Sequence, residues 1–238
     1  EKYGADPVRF YMMTNSEPWD NLKFDPEGVD EVRRKFFGTL YNTYSFFALY
    51  ANVDGFDPET MMGEGSLAER PEIDRWIISK VNTLVLNVQK QLDGYDPTRA
   101  GRLIDSFVND DLSNWFVRLN RKRFWGKEMD ADKLHAYQTL YTCLMTVAKL
   151  LAPFAPFYAD RLYHDLGGKL VSVHLEKFPV VDAAAIDKEL EARMDIAQKI
   201  TSMTLALRRK VNIKVRQPLA QLMIPAVDDK QREHINAV

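Results

Sequence analysis

The chain has 238 residues, 46% of them hydrophobic and 28% charged, with a formal net charge of −2. That is an ordinary globular composition, long enough for one large or two small domains. It excludes a globally basic nucleic-acid binder, so any contact with RNA must come from local patches. The single cysteine, Cys143, excludes an internal disulfide and a cysteine-cluster metal site. Set in a helical apolar pattern, it reads as a small buried thiol. With no secretory signal pattern and no apolar run of membrane-span length, a cytoplasmic setting is expected. The chain opens without Met on residues that already look like a helix entry, so a piece of a longer protein is expected.

In chain order, Gly4-Ala5-Asp6-Pro7 predicts a helix start with Asp6 as N-cap and Pro7 at the first helical position. Asn15 to Pro18 break that helix, and Trp19 to Phe24 read as a connector. Asp25-Pro26 repeats the signal and opens a long helix to about Tyr50, with a broad aromatic face and a basic shoulder at Arg33, Arg34 and Lys35. A loop rich in Asp, Gly and Pro follows. Pro71 opens the next helix, which carries Ile73, Ile77, Val81, Leu84, Val88 and Leu92 on one side and stops near Gly94. Asp96-Pro97 starts a helix that Gly126 ends, and Asp130 caps another running to Leu151. Past the Ala152–Pro156 junction come a short helix to Leu166, an extended stretch, and a last helix over about 187–210. Leu222 to Val227 are strand-like in composition, although Pro225 confines any strand to an edge or an end. Four long helices between Asp25 and Leu151 predict an all-α fold, an antiparallel helical bundle with a short irregular or strand-like C-terminal segment.

The stretch Asn109–Trp125 organises the rest. Ile104, Val108, Leu112, Trp115 and Leu119 recur at three-and-four spacing as one apolar stripe, opposite Asp110, Asn114, Arg118, Arg121 and Lys122. Arg118, Arg121, Lys122 and Arg123 fall within six residues, bracketed by Trp115, Phe124 and Trp125. Cations interleaved with aromatics suit nucleic acid, the cations taking phosphates and the rings stacking on bases. A solvated, dipole-complementing helix end with Trp115 in the core is the plainer alternative. A second cluster, Arg208, Arg209, Lys210, Lys214 and Arg216, straddles a helix end and a loop containing Asn212 and Gln217, whose amides suit base edges or a 2′-hydroxyl. It too has a solvated-terminus alternative.

No residues assemble a catalytic centre. A Gly-rich phosphate loop, a Gly-x-Ser-x-Gly and a His-Glu-x-x-His are all lacking. His135, His164, His174 and His234 have no ligand spacing and read as surface or satisfied core residues. Asp110 and Asp111 point about 100° apart on a helix, so they suit ion pairs rather than a paired acid and base.

Several blocks resemble a known family. Glu1 to Arg9 are similar to the segment after the Lys-Met-Ser-Lys-Ser loop of class I aminoacyl-tRNA synthetases. Trp19–Phe24, Arg33–Tyr44, Asp110–Arg118, Leu151–Phe157, Ser172–Glu176 and Asn212–Leu219 resemble the isoleucyl family of class Ia, with looser likeness to the valyl and leucyl relatives. The resemblance implies an anticodon-binding helical bundle: 1–24 a connector after the catalytic domain, 25–181 the bundle, and 182–238 a C-terminal helix with the start of a further region. It implies binding of the anticodon stem and loop of an isoleucine tRNA, tRNA(Ile), by a monomer. Catalysis, with ATP and Mg, belongs to a domain whose His-x-Gly-His and Lys-Met-Ser-Lys-Ser signatures are missing here, so no cofactor and no activity are expected of this chain alone. Trp115 and Asn42 match the places where relatives carry a bundle Trp and Asn near the anticodon. The methionyl relative has an Arg one turn after that Asn, where this chain has Phe46. The expected RNA-contacting residues are Asn42, Trp115, Arg118, Arg121, Lys122, Arg123, Trp125, Arg209, Lys210, Lys214 and Arg216. A structural or protein-interaction bundle is the competing reading.

Overall fold

A computed structural model describes residues 2–63, 65–126 and 128–237. The chain divides into two compact units, 1–186 and 187–238. Among the described residues there is no strand.

The first unit is built from helices whose starts the sequence marks. Asp25 accepts from the Glu27 N–H at 3.0 Å and opens α2 (Pro26–Val32), which continues through a π-helical turn, Arg33–Phe37, into α3 (Gly38–Asp54). Asp57 accepts from Glu59 at 2.9 Å ahead of the short α4 (Pro58–Met61). α5 (Glu72–Asp93) follows Pro71, and Asp96 caps α6 (Pro97–Ser106) through the Arg99 N–H at 2.9 Å. A π-helical segment, Phe107–Val117, joins α6 to α7 (Arg118–Phe124). Asp130 caps α8 (Ala131–Leu151), and α9 (Pro156–Asp165) begins at a proline. Each side-chain cap satisfies one of the N–H groups that a helix start leaves unpaired, and each proline sits where its missing N–H has no helical partner.

The first Asp-Pro pair departs from expectation. The first helix, α1 (Ala5–Asn15), starts one residue early with Gly4 as its cap, and Asp6 lies inside it. The Asp6 carboxylate instead accepts from the Tyr158 N–H at 2.6 Å, capping α9 from 152 residues away. Burial raises its carboxyl pKa. α1 packs on α2, α6 and α9, and the buried Phe10 stacks on Phe36 at 4.3 Å and meets Phe37 and Phe154 edge-on. Tyr11 ties down the following segment, donating to the Lys23 carbonyl and accepting from the Asp25 N–H.

α5 packs on α6 and α8, α8 on α9, and α3 on both α8 and the Phe107–Val117 segment. Trp76, Ile77, Val81, Val88, Ile104, Leu112, Tyr137, Leu144 and Leu151 are buried in the core so formed. Each such side chain contributes roughly 1.5–3 kcal/mol through removal from water. Rings join the layers: Phe56 stacks on Tyr137 at 5.1 Å, and Phe124 meets Tyr137 at 5.0 Å and Phe46 at 5.1 Å.

In the second unit, α10 (Lys188–Lys210) is tied to α11 (Asp229–Asn236) by Glu189, which meets Lys230 at 2.9 Å and His234 at 3.1 Å. The expected strand-like stretch, 222–227, is irregular, as the proline at 225, which offers no N–H to a ladder, favours.

Candidate nucleic-acid interface

The central helix keeps its core face by a device the three-and-four stripe did not predict. Ile104, Val108, Leu112, Phe116, Asn120 and Phe124 are all buried, at an unbroken spacing of four. Ser106, Asp110, Asn114, Arg118 and Lys122 are all exposed, again at four. An α-helix turns about 100° per residue, so twenty residues overshoot five whole turns by roughly 200° and would place Phe124 opposite Ile104. The π-helical segment absorbs that drift, because its i→i+5 bonds, such as Arg118 N–H to the Ser113 carbonyl, widen the turn. The expected stripe therefore holds through Leu112 and then fails. Trp115 is half-buried and Leu119 is 56% exposed.

The predicted contact residues separate by environment. Arg118, Arg121 and Lys122 are exposed along α7, and their side chains make no ion pair or hydrogen bond among the described residues. Trp125, at the C-cap of α7, is 56% exposed. Asn42 is exposed on α3, and one turn on, Phe46 packs its ring 5.1 Å from Phe124. The position where the methionyl relative carries an Arg is thus a packing contact. Among the described ring pairs Phe124 meets the aromatics of α3, while the Trp115 indole N–H is covered and finds no acceptor.

Arg123 does not belong with its exposed neighbours. Its guanidinium makes a two-pronged contact with the fully buried Asp74 at the start of α5, at 2.6 and 2.9 Å. It also meets Asp132 at the start of α8 and the Asn120 amide oxygen. Burial opposes the charge, but the hydrogen bonds that the guanidinium donates to these carboxylates raise its pKa. A planar fork against a carboxylate is the geometry that recruits Arg to internal ion pairs. These contacts tell against the expectation that Arg123 takes a phosphate, because its donors are engaged inside the protein.

The corner after α7 is held by a second buried cation. Lys133 Nζ donates to the Gly126 carbonyl at 2.6 Å and pairs with Asp54, at the end of α3, at 2.6 Å. Tyr137 donates its hydroxyl to the same Asp54 carboxylate, and this bond, together with burial, raises the phenol pKa.

In the second unit, Arg209, Lys210, Lys214 and Arg216 are exposed. Arg208 turns back and donates to the carbonyls of Lys214 and Gln217, both at 2.9 Å. Asn212 stands at φ 56°, where Ile213 N–H reaches the Arg208 carbonyl at 2.8 Å and Asn212 N–H the Arg209 carbonyl at 3.2 Å. This is a Schellman stop with Asn212 as its left-handed residue, a backbone role that its reading as a base contact left out.

The rest of the surface is quiet chemically. His164, His174 and His234 each meet an oxygen acceptor within 3.3 Å. Cys143 is fully buried, and desolvation drives its thiol pKa far upward, so it is inert. Asp111 pairs with Lys80 of α5 at 3.4 Å, the neighbouring-helix ion pair expected of it. No group of three or more His, Cys, Asp or Glu among the described residues has a metal-holding arrangement. No helix among them is long and apolar enough to cross a membrane.

Residues 74–224 match the family described as the anticodon-binding domain of tRNA ligase. The chain belongs to that family. It is 67% identical to an isoleucine–tRNA ligase of Bacteroides thetaiotaomicron, over 100% of this chain and 21% of that protein. It is 65% identical to one of Porphyromonas gingivalis, over 100% of this chain and 21% of that protein. An isoleucine–tRNA ligase of Dehalococcoides mccartyi is 51% identical over 94% of this chain and 22% of its own length. The chain thus spans about a fifth of the length of these relatives. Among solved structures, the LeuRS of Agrobacterium radiobacter K84, in a ternary complex with tRNA and LeuAMS, matches with a TM-score of 0.55 at 17% identity. That match covers 79% of this chain and 21% of the other, and at such identity it speaks to the fold alone. The isoleucyl family inferred from the sequence blocks is the family of these relatives.

Proposed function

We propose that this chain is the tRNA-gripping bundle of an isoleucine–tRNA ligase. It binds the anticodon stem and loop of tRNA(Ile), so that the acceptor end reaches a catalytic domain elsewhere in the same protein. Its contribution to aminoacylation is positioning and selection. The observation that carries the reading is the unpaired, exposed edge Arg118–Arg121–Lys122–Trp125 on a bundle of the anticodon-binding family. Three cations with no side-chain partner among the described residues offer phosphate contacts, and an exposed indole beside them offers a stacking platform. Asn42, Trp115 and the 209–216 cluster join as secondary contacts, Trp115 only through its exposed portion. Arg123 acts from inside, holding the end of α7. On this reading ATP and Mg belong to the catalytic domain of such a ligase.

Binding of a tRNA(Ile) transcript at two salt concentrations tests the proposal. Affinity falls as salt rises if phosphates carry the contact, whereas a scaffold without an RNA role binds at neither salt.

A further inference from the structure

At the corner where α7 gives way to α8, one lysine is held from every side. Lys133 is 2% exposed. Its N–H donates to Asp130 at 2.8 Å, its Nζ donates to the Gly126 carbonyl at 2.6 Å, and it pairs with Asp54 at 2.6 Å. Asp54 is itself fixed by the Tyr137 hydroxyl, from a ring that stacks on Phe56 at 5.1 Å. The carbonyl that Lys133 grips belongs to the residue directly after the exposed Trp125.

Such a pair is a poor way to gain stability. A buried lysine and carboxylate lose hydration that their attraction roughly replaces, and an apolar pair of the same shape does as well or better. What the pair supplies is a single geometry. The end of α3, the first turn of α8 and the backbone beside Trp125 are locked to one another through a compact cation with three donors. On the other side of Trp125, Arg123 is locked to Asp74 and Asp132. The exposed indole therefore projects from a backbone held on one flank by the buried Lys133 and on the other by Arg123, whose partner Asp74 is buried.

We propose that Lys133 is a positioning residue for RNA: by holding the Gly126 carbonyl beside Asp54 it sets Trp125 where a base stacks, without touching the RNA itself. The inference rests on the anticodon-binding reading above. It assigns a buried side chain a share in the affinity.

The test is a double-mutant cycle in the full-length ligase, with binding of a tRNA(Ile) transcript measured across a salt series. Trp125→Ala weakens binding by about 5- to 150-fold with an unchanged salt slope, as loss of one stacked base does. Lys133→Met keeps the length of the stem, removes the charge, and weakens binding to a similar degree, also with an unchanged slope. The double variant binds no more weakly than Trp125→Ala alone, because the lysine acts through the indole. Lys133→Met strands the Asp54 carboxylate, so Lys133→Met/Asp54→Asn is measured beside it, with folding followed by circular dichroism. It shows the same loss of RNA affinity with a smaller fall in melting temperature. Additive losses, a shallower slope in Lys133→Met, or parental affinity in a folded Lys133 variant each overturn the proposal. Parental affinity in Trp125→Ala also overturns it, while leaving the cationic edge to carry the anticodon-binding reading. A parent that fails to bind at low salt overturns that reading itself.

Discussion

On the proposed reading Arg121 and Arg123, two residues apart on α7, have opposite jobs, and replacing each by alanine separates them. Arg123→Ala removes both prongs from Asp74, a carboxylate with no solvent exposure. Breaking a buried ion pair from one side strands the other charge and costs about 3–5 kcal/mol. The lower end applies here, because the half-buried Arg70 guanidinium still attracts Asp74. At a urea sensitivity of about 2–3 kcal/mol per molar, a loss of roughly 3 kcal/mol lowers the unfolding midpoint by about 1–1.5 M. Arg121→Ala removes an exposed, unpaired cation and changes stability by less than about 0.5 kcal/mol. In RNA binding the order reverses: Arg121→Ala shallows the salt slope by about 0.7–0.9, and Arg123→Ala leaves it unchanged. Replacing both Arg123 and Asp74 by apolar residues of similar volume restores much of the stability that Arg123→Ala loses, since no charge is left stranded. Urea titration followed by circular dichroism and a salt series of tRNA binding supply both readouts. Parental stability combined with a slope shallower by nearly one unit in Arg123→Ala would refute the reasoning and return that side chain to the RNA.

Phe124→Ala empties a site between Phe46 and Tyr137 and costs about 3–5 kcal/mol in urea unfolding, while Trp115→Ala, at a half-buried position, costs roughly 2; equal losses would contradict the packing described. The Glu176 carboxyl pKa is held below its ordinary value by hydrogen bonds from Tyr163 at 2.6 Å and Lys149 at 3.1 Å. A depressed native pKa gives stability that is present above the unfolded value and lost as pH falls toward the native one. Thermal melts from pH 6 to pH 3 therefore fall less steeply for Glu176→Gln than for the parent. Given ATP and isoleucine, this chain alone supports no isoleucine-dependent pyrophosphate exchange, because it carries neither class I signature; measurable exchange by the pure chain overturns that assignment.

Helix boundaries were legible wherever the signal was local. Asp25, Asp96 and Asp130 each hydrogen-bond an N–H two or three residues on, which spacing alone can indicate, whereas Asp57 makes the same bond ahead of α4 inside a stretch read as a loop. Asp6 shows where such reasoning ends. Its Asp-Pro pair looks the same, but its carboxylate serves Tyr158, a contact set by how α1 docks on α9. Arg123 is the same lesson in the candidate site. Composition ranks it with Arg121 and Lys122, and only the packing of α5 and α8 against α7 shows Asp74 and Asp132 in front of it. Trp125 was separable from Trp115 in principle, because it falls at the end of the helix beside Gly126, where burial ends. The likeness to isoleucyl enzymes rested on block identity rather than on periodicity, and so was untouched by these errors of phase.

The π-helical segment explains why the polar face was read well and the apolar face poorly. A stripe drawn at three-and-four spacing chooses the best apolar residue at each turn and so selected Trp115 and Leu119. The discriminating pattern was already in the sequence as Ile104, Val108, Leu112, Phe116 and Phe124, at multiples of four, with Ser106, Asp110, Asn114, Arg118 and Lys122 at the same interval opposite. No straight α-helix keeps such an interval on one side for twenty residues, since it drifts about 40° per step. A sustained spacing of four is therefore itself a signal of widened turns. Its consequence reaches the proposed RNA edge. Because the π turns hold Phe124 against Phe46 and Tyr137, the opposite face at the end of the same helix keeps Arg118, Arg121 and Lys122 outward. The widened turns thus act on the candidate interface by phase rather than by contact, and they place its cations without contributing a charge of their own.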